Sequence, residues 1–279
     1  MSLTYDVFVS GSVPQTGRGT LPNGDPRIWS PISSTLIAGK SEAVLVDPPM
    51  TIEQTREVGD WIEASGKRLT TIFVTHGHGD HWFGAAALAD RFPGLSILAT
   101  AQTIEMMRVQ GSPEFRSSFW DSVFPGQLPA SPVLAEEVKG NRFLLEGNEL
   151  RVIEVGHTDT DGTSMLHVPS IGLLVAGDVV YNDVHLYLAE SQGDGLQSWL
   201  RALDTAESLQ SVSVVAGHKA VTAGNDPESI GATRRYLNDA IRLLTTSATP
   251  TEFFEAMLSL HSGRVNPGAL WGGANVLLG

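Results

Sequence analysis

The chain contains no cysteine. Disulfides, thiolate metal ligands and a cysteine nucleophile are therefore excluded, and any transition-metal site must be built from His, Asp, Glu or water. Basic residues are scarce as well: 18 Lys and Arg stand against 31 Asp and Glu, a net charge of -13. Such a surface repels a polyanion on average, so nucleic acid is not the expected partner. No apolar run reaches the ~18 residues that a membrane helix needs. Met1 to Pro14 lacks the basic-then-apolar pattern of a secretory signal. The expectation from these absences is a cytoplasmic protein with no membrane partner. Oligomeric state is not readable from the chain.

What is present is a hydrophobic content of 42% in 279 residues, enough for a large interior in a single domain covering 1–279. Short strands are expected at Val7 to Val9, Thr35 to Ala38 and Ala43 to Val46, the last two as a hairpin. The Gly- and Pro-rich stretch from Pro14 to Pro31 reads as a long loop, and Ile28 and Trp29 within it read as core anchors or as a pocket lid. Thr51 to Ser65 has the spacing of an amphipathic helix ended by Gly66. Strands follow at Leu69 to Thr75 and Leu95 to Ala99, with helices at Phe83 to Phe92 and, broken near Gly111 and Pro113, at Ala101 to Phe124. A run of strands is expected over Arg142 to Ala176, then a helix at Gly195 to Leu209, a strand at Val212 to Val215 and a helix at Pro227 to Leu244. Thr249-Pro250-Thr251-Glu252 is a helix start with cap, proline and carboxylate in place. The C-terminal part, about 226–279, is thus helical, and its last stretch with Trp271 either covers the core or joins a neighbour.

The decisive segment is Thr75-His76-Gly77-His78-Gly79-Asp80-His81. Three imidazoles and a carboxylate fall within one turn between a strand and a helix. These are the ligands that suit zinc, iron or manganese. The two glycines are expected to let the backbone turn tightly, so that alternate side chains share one cavity. Further Gly-His and Gly-Asp pairs follow later strands, at Gly156-His157, Gly177-Asp178 and Gly217-His218. By contrast, Gly39-Lys40-Ser41 is no phosphate loop, because Ser34 stands where the first glycine belongs. Gly162 to Leu166 is no nucleophile elbow, because Leu166 replaces the last glycine.

His-x-His-x-Asp-His after a strand, followed in order by these three pairs, resembles the signature of the metallo-β-lactamase superfamily over about Thr35 to His218. The resemblance implies an α/β fold of the αββα type, two mixed sheets with helices on the outer faces. It also implies two divalent ions, zinc first with iron or manganese as alternatives. His76, His78 and His157 would hold one ion, Asp80, His81 and His218 the other, and Asp178 would bridge them. Asp47, at a strand end, would orient a metal-binding imidazole. Tyr181 is similar in position to a tyrosine of lactone-opening members, which would donate to the substrate's carbonyl oxygen or leaving group. Asp80 and Tyr181 are thus the candidate catalytic side chains, and His185 and Trp29 candidate substrate contacts. Lys219 could meet an anionic substrate. Asp178 in place of a cysteine, and His78 in place of a glutamate, set the chain apart from some true β-lactamases and from the diiron flavoproteins of this fold. The expected activity is metal-dependent hydrolysis of a small ester-like molecule, a lactone first and a thioester second. A mononuclear-iron dioxygenase and a metal-dependent binding protein are the alternatives.

Overall fold

The computed structural model describes residues 2–279. The chain opens with β1 (Thr4–Ser10), a short pair β2 (Val13–Pro14) and β3 (Ile28–Trp29), and β4 (Ile32–Ala38) turning into β5 (Glu42–Val46). Next come α1 (Ile52–Ala64), β6 (Arg68–Phe73), α2 (Ala85–Arg91), β7 (Ser96–Ala99) and α3 (Ala101–Gln110). Two single turns, α4 (Pro113–Phe115) and α5 (Asp121–Val123), flank a wider π-type turn at Arg116–Trp120 and lead to β8 (Glu136–Glu137). β9 (Arg142–Leu145), β10 (Asn148–Gly156), β11 (Thr163–Val168) and β12 (Leu173–Asn182) form a meander. The chain ends with α6 (Gly195–Ser208), β13 (Ser213–Lys219), α7 (Glu228–Leu244), α8 (Pro250–Leu260) and α9 (Pro267–Leu278).

Local sequence explains the boundaries. Thr51 caps α1 by accepting from the Gln54 N–H at 3.1 Å, and the Gln54 side chain accepts in return from the Thr51 N–H. Thr249 caps α8 in the same way through the Glu252 N–H, with Pro250 in the first turn. β11 and β12 are buried almost throughout, as expected of strands covered on both faces.

The strands form a six-stranded sheet in the order β1-β4-β5-β6-β7-β8 and a five-stranded sheet in the order β13-β12-β11-β10-β9. Both are mixed. The first is antiparallel through β5 and parallel from β5 to β8, and the second is parallel only between β12 and β13. Alternation along the strands divides the core into three layers. Ile37, Val44, Val46 and Phe73 meet Val152, Leu166, Val175 and Val215 between the sheets. Leu36, Leu45 and Ile72 face outward to Val58 and Ile62 of α1 and Met107 of α3. Leu174, Ala176 and Val214 face the opposite way, to Trp199 of α6, Leu237 of α7, Phe254 of α8 and Leu270 of α9. Helix, sheet, sheet and helix are thus stacked, as the resemblance implies.

Two details differ from expectation. The stretch from 14 to 31 is not wholly a loop: Val13 pairs with Trp29 and Pro14 with Ile28. α9 covers the core through Leu270 and Ala274, which decides what the last stretch does. Among the described residues no helix is long and apolar enough to cross a membrane.

Candidate metal centre

The candidate ligands lie at the ends of strands from both sheets. Asp47 directly follows β5, and β6 leads into the His76–His81 turn. β12 carries Asp178, and β13 carries His218. Close backbone approach requires glycine at two of these places. A Cβ on Gly217 would sit 2.1 Å from Asp178 Oδ1, and one on Gly177, which also has φ +52°, would sit 2.5 Å from Thr75 Oγ1. Gly77 and Gly79 serve differently from the expected tight turn. Neither has a positive φ. Their missing Cβ atoms make room for Met106 and Phe83, at 2.4 and 2.5 Å.

Three groups of ligand atoms converge here, each within 4.8 Å; two of them open on the cavity, His76, His78 and Asp159, and Asp80, His81 and His218, while the third, Asp47, His76 and His81, lies behind them. In the first, Asp159 Oδ2 is 2.9 Å from His78 Nδ1 and 3.7 Å from His76 Nε2. In the second, His218 Nε2 is 3.4 Å from both Asp80 Oδ2 and His81 Nε2. Asp178 joins the groups: Oδ1 is 3.3 Å from His81 Nε2, while Oδ2 is 3.2 Å from His218 Nε2 and 4.0 Å from His76 Nε2. Ligation at about 2.1 Å around a tetrahedral ion sets donor atoms about 3.4 Å apart, so these separations suit a cation.

His157, expected in the first group, lies outside both. Its Nδ1 is 2.7 Å from Asp161 Oδ1, and its Nε2 points at Gly195, where an added Cβ would lie 2.8 Å away. A bulge in β10 precedes it. Glu154 pairs with Ser164 and Gly156 with Thr163, so Val155 is an extra residue, and Gly156 follows at φ +79°. Asp159, two positions on, takes the place that sequence reasoning gave to His157. The signal available was the acidic run Asp159-Thr160-Asp161 beside a Gly-His pair.

Other side chains hold the ligands from behind. Asp47, at φ +55°, accepts from the Thr75 N–H and hydroxyl at 2.9 and 2.7 Å. Its Oδ2 also lies 3.0 Å from His81 Nδ1, the contact expected of it. His218 Nδ1 is 2.7 Å from the Pro31 carbonyl oxygen. Trp29 Nε1 donates to Asp80 Oδ2 at 2.8 Å, and the Tyr181 hydroxyl donates to Asp178 Oδ2 at 2.6 Å. Glu190, which sequence reasoning missed, lies 3.0 Å from His78 Nε2 and accepts from Thr160. These contacts fix tautomer and orientation.

The electrostatics are those of a cation trap. Burial alone would lower the pKa of His78 and His218, yet Asp159 and Glu190 raise the first, and Asp178 and Asp80 raise the second, well above the ordinary value. Burial and the neighbouring His81 push His76 down to about 4. Burial would raise Glu190, but His78 pulls it down to about 2. Burial and the adjacent Asp178 raise Tyr181 well above the ordinary phenol range, so it stays a protonated donor. Asp80, Asp159 and Asp178 are buried, and buried carboxylates demand counter-cations. His76 Nε2, His157 Nε2, Asp159 Oδ2 and Asp178 Oδ1 are also buried with no hydrogen-bond partner, His157 Nε2 being the one that lies outside both groups. Lone pairs aimed at one another without a proton between them fit metal ligation, and the nitrogen–oxygen set suits zinc, iron or manganese.

The groups form the floor of a cavity of about 490 Å³. Trp29, Tyr181 and Tyr187 line it, as do Gly268 and Gly272 of α9. His185 does not. It is fully buried, its Nδ1 is 3.0 Å from the Tyr236 hydroxyl, and burial with Arg264 nearby lowers its pKa to about 3. It packs in the layer under α7. Lys219 is also buried, and it donates to Asn225 Oδ1. Neither offers a substrate contact.

The family model of the metallo-beta-lactamase superfamily matches residues 27–218. The chain belongs to this superfamily. Among curated relatives, a hydroxyacylglutathione hydrolase of Xanthomonas oryzae is 28% identical over 72% of this chain and 61% of its own length. A ribonuclease Z of Pyrococcus furiosus is 25% identical over 62% of this chain and 51% of its own length. The chain therefore spans only about half to three fifths of these two relatives. Solved structures agree on the superfamily's fold. The DIM-1 metallo-beta-lactamase superposes with a TM-score of 0.63 at 20% identity, covering 86% of this chain and 98% of that one. A metallo-beta-lactamase family protein of Thermus thermophilus gives 0.63 at 20% identity, over 95% of this chain and 91% of that one.

Proposed function

We propose that this chain is a metal-dependent hydrolase of a small acyl compound, a lactone first and a thioester second. The ligands are His76, His78 and Asp159 for one divalent ion and Asp80, His81 and His218 for the other, with Asp178 shared. The observation that carries the reading is the union of two ligand groups by Asp178 on the floor of a cavity sized for a small molecule. Bound divalent ions, zinc first, would supply a hydroxide nucleophile near neutral pH and polarise the substrate's oxygen.

The chain's own residues then divide the work. Trp29 and His218 hold Asp80 in place, where its carboxylate can orient a nucleophile and accept its proton. Tyr181 is aimed at Asp178 rather than at open cavity, so its first role is to fix the shared carboxylate. The same hydroxyl, kept protonated, faces the cavity and can turn to a developing oxyanion. Burial on the floor excludes bulk water around these groups.

The hydroxyacylglutathione hydrolase activity named for the Xanthomonas relative favours an acyl substrate. The net charge of -13 weighs against a nucleic-acid substrate like that of a ribonuclease. The test is elemental analysis of purified protein together with initial rates on a panel of lactones and thioesters, with Asp178→Ala as control. Two ions per chain and hydrolysis lost in the control are expected. A single iron with oxygen uptake, or loaded protein that hydrolyses nothing in the panel, overturns the reading.

A further inference from the structure

The chain is acidic and most of its arginines are ion-paired at the surface, for example Arg56 with Asp60, Arg91 with Glu63 and Arg234 with Asp204. Arg18 and Arg27 differ. Among the described residues neither has a carboxylate within 4.0 Å, and both line the cavity above the metal centre. Two cations without a carboxylate partner in a concave site of an otherwise negative protein leave their charge uncompensated in the free chain.

Their positions are held by structure. The β2–β3 pair fixes Arg27: its carbonyl accepts from the Gln15 N–H at 3.0 Å, and Gln15 Nε2 donates to the neighbouring Ile28 carbonyl. Its guanidinium lies along the glycine face of α9. Nη2 donates to the Gly268 carbonyl at 3.3 Å, and a Cβ on Gly272 would touch it at 3.5 Å. Its Nε is buried with no hydrogen-bond partner. Arg18 lies over the Phe119 ring at 4.7 Å. Burial and the like charge of Arg18 lower the pKa of Arg27, so the two cations repel each other. A guanidinium has five donors, and Arg27 spends one.

The cavity between these cations and the floor is aromatic. Trp29 spans it, with its Nε1 on Asp80 and its ring 6.2 Å from that of Phe119, on which Arg18 rests. Phe115, Trp120 and Tyr187 complete the wall. A molecule reaching from the metal centre to the arginines therefore passes aromatic rings and ends at two guanidinium groups with donors to spare.

We propose that Arg18 and Arg27 anchor an oxyanion at the far end of the substrate, so that the preferred substrate is an acyl compound with an apolar body and a carboxylate or phosphate-type tail. An anion between the guanidinium groups relieves their repulsion and takes up unused donors. The proposal rests on the hydrolase reading only for the word substrate; the anion site is tested by binding, without turnover.

The experiment is equilibrium titration of metal-loaded protein with 4-phenylbutyrate, benzylphosphonate and the neutral 4-phenylbutyramide. It is repeated with R18A/R27A and with R27K, folding being checked by thermal melts. The anions are expected to bind about tenfold or more tighter than the amide, as charge-assisted bonds to a guanidinium allow. The preference should vanish in R18A/R27A and return in part in R27K, and the tighter anion identifies the tail. Equal binding of amide and anions overturns the proposal. So does an anion preference that survives R18A/R27A, since it then comes from the metals. Protein that binds the anions through the arginines yet hydrolyses no ester would leave this site standing and sink the hydrolase reading instead.

Discussion

The two ligand groups share a carboxylate but are supported differently. His81 and His218 are backed by Asp47 and by the Pro31 carbonyl, both at ends of strands in the core. His76 is backed only by the Thr75 hydroxyl at 3.1 Å, His78 by Glu190, and Asp159 sits on the turn after the β10 bulge. One group is built on the sheets and the other partly on loops between them. Side chains on strands are held by ladders that also stabilise the fold, while loop side chains can move without cost to the core. The comparison implies that the group with His218 holds its cation more firmly and that the group with Asp159 is the adjustable one.

The largest effect expected of this difference is at Asp159. Asp159→Asn keeps shape and removes charge, and it should release one ion while the other stays. Turnover should fall by about 10²- to 10³-fold, the scale of losing one preorganised charge at a reacting centre. Elemental analysis and initial rates read both, and a thermal melt close to that of the parent would set the loss apart from unfolding. Two retained ions at parent rate would end the assignment of Asp159 as a ligand.

A smaller effect separates the supports. Asp47→Asn and Glu190→Gln each weaken one imidazole, and loss of such a partner costs about 10- to 100-fold in metal affinity. Asp47 also accepts from the Thr75 N–H and hydroxyl in a buried site, so its replacement should lower the melting temperature as well. Glu190 is partly exposed and ties two loop residues, and its replacement should leave the melt nearly unchanged. Equal melting shifts would remove the distinction between a sheet-built and a loop-built group.

The parts legible in the sequence are those where local pattern and position agree. The apolar, β-branched strand segments leading to His76, Asp178 and His218 are plain in the sequence, and each ligand lies just past or in the C-terminal part of its strand. The helix starts at Thr51 and Thr249 carry their own caps. What was illegible depends on events that composition does not record. That Asp159 rather than His157 groups with His76 and His78 arises in the turn after β10, where no periodicity applies. Glu190 meets His78 across 112 positions of sequence, a distance no local pattern spans. His185 has the composition of a pocket residue, but Asp183 at φ +56° and the β-like contact of Val184 with Val265 carry it under α7. α9 shows only as an apolar helix in sequence, and its role as a cavity wall comes from its packing against Arg27.

The smallest effect is expected where the sequence pattern is most persuasive. His157 follows a strand and a glycine, as the ligands Asp178 and His218 do, and on pattern alone it belongs among them. In the structure its Nδ1 is tied to Asp161, a side chain 81% exposed, and its Nε2 faces the start of α6. A pair with so exposed a partner contributes about 0–1 kcal/mol. His157→Ala should therefore keep both ions and retain turnover within about threefold, with at most a few degrees lost in the melt. The contrast with Asp159→Asn, two positions away, is what carries weight. If His157→Ala releases an ion and Asp159→Asn does not, the cation is held by His157 rather than Asp159, and the loop-built group must be redrawn around the histidine.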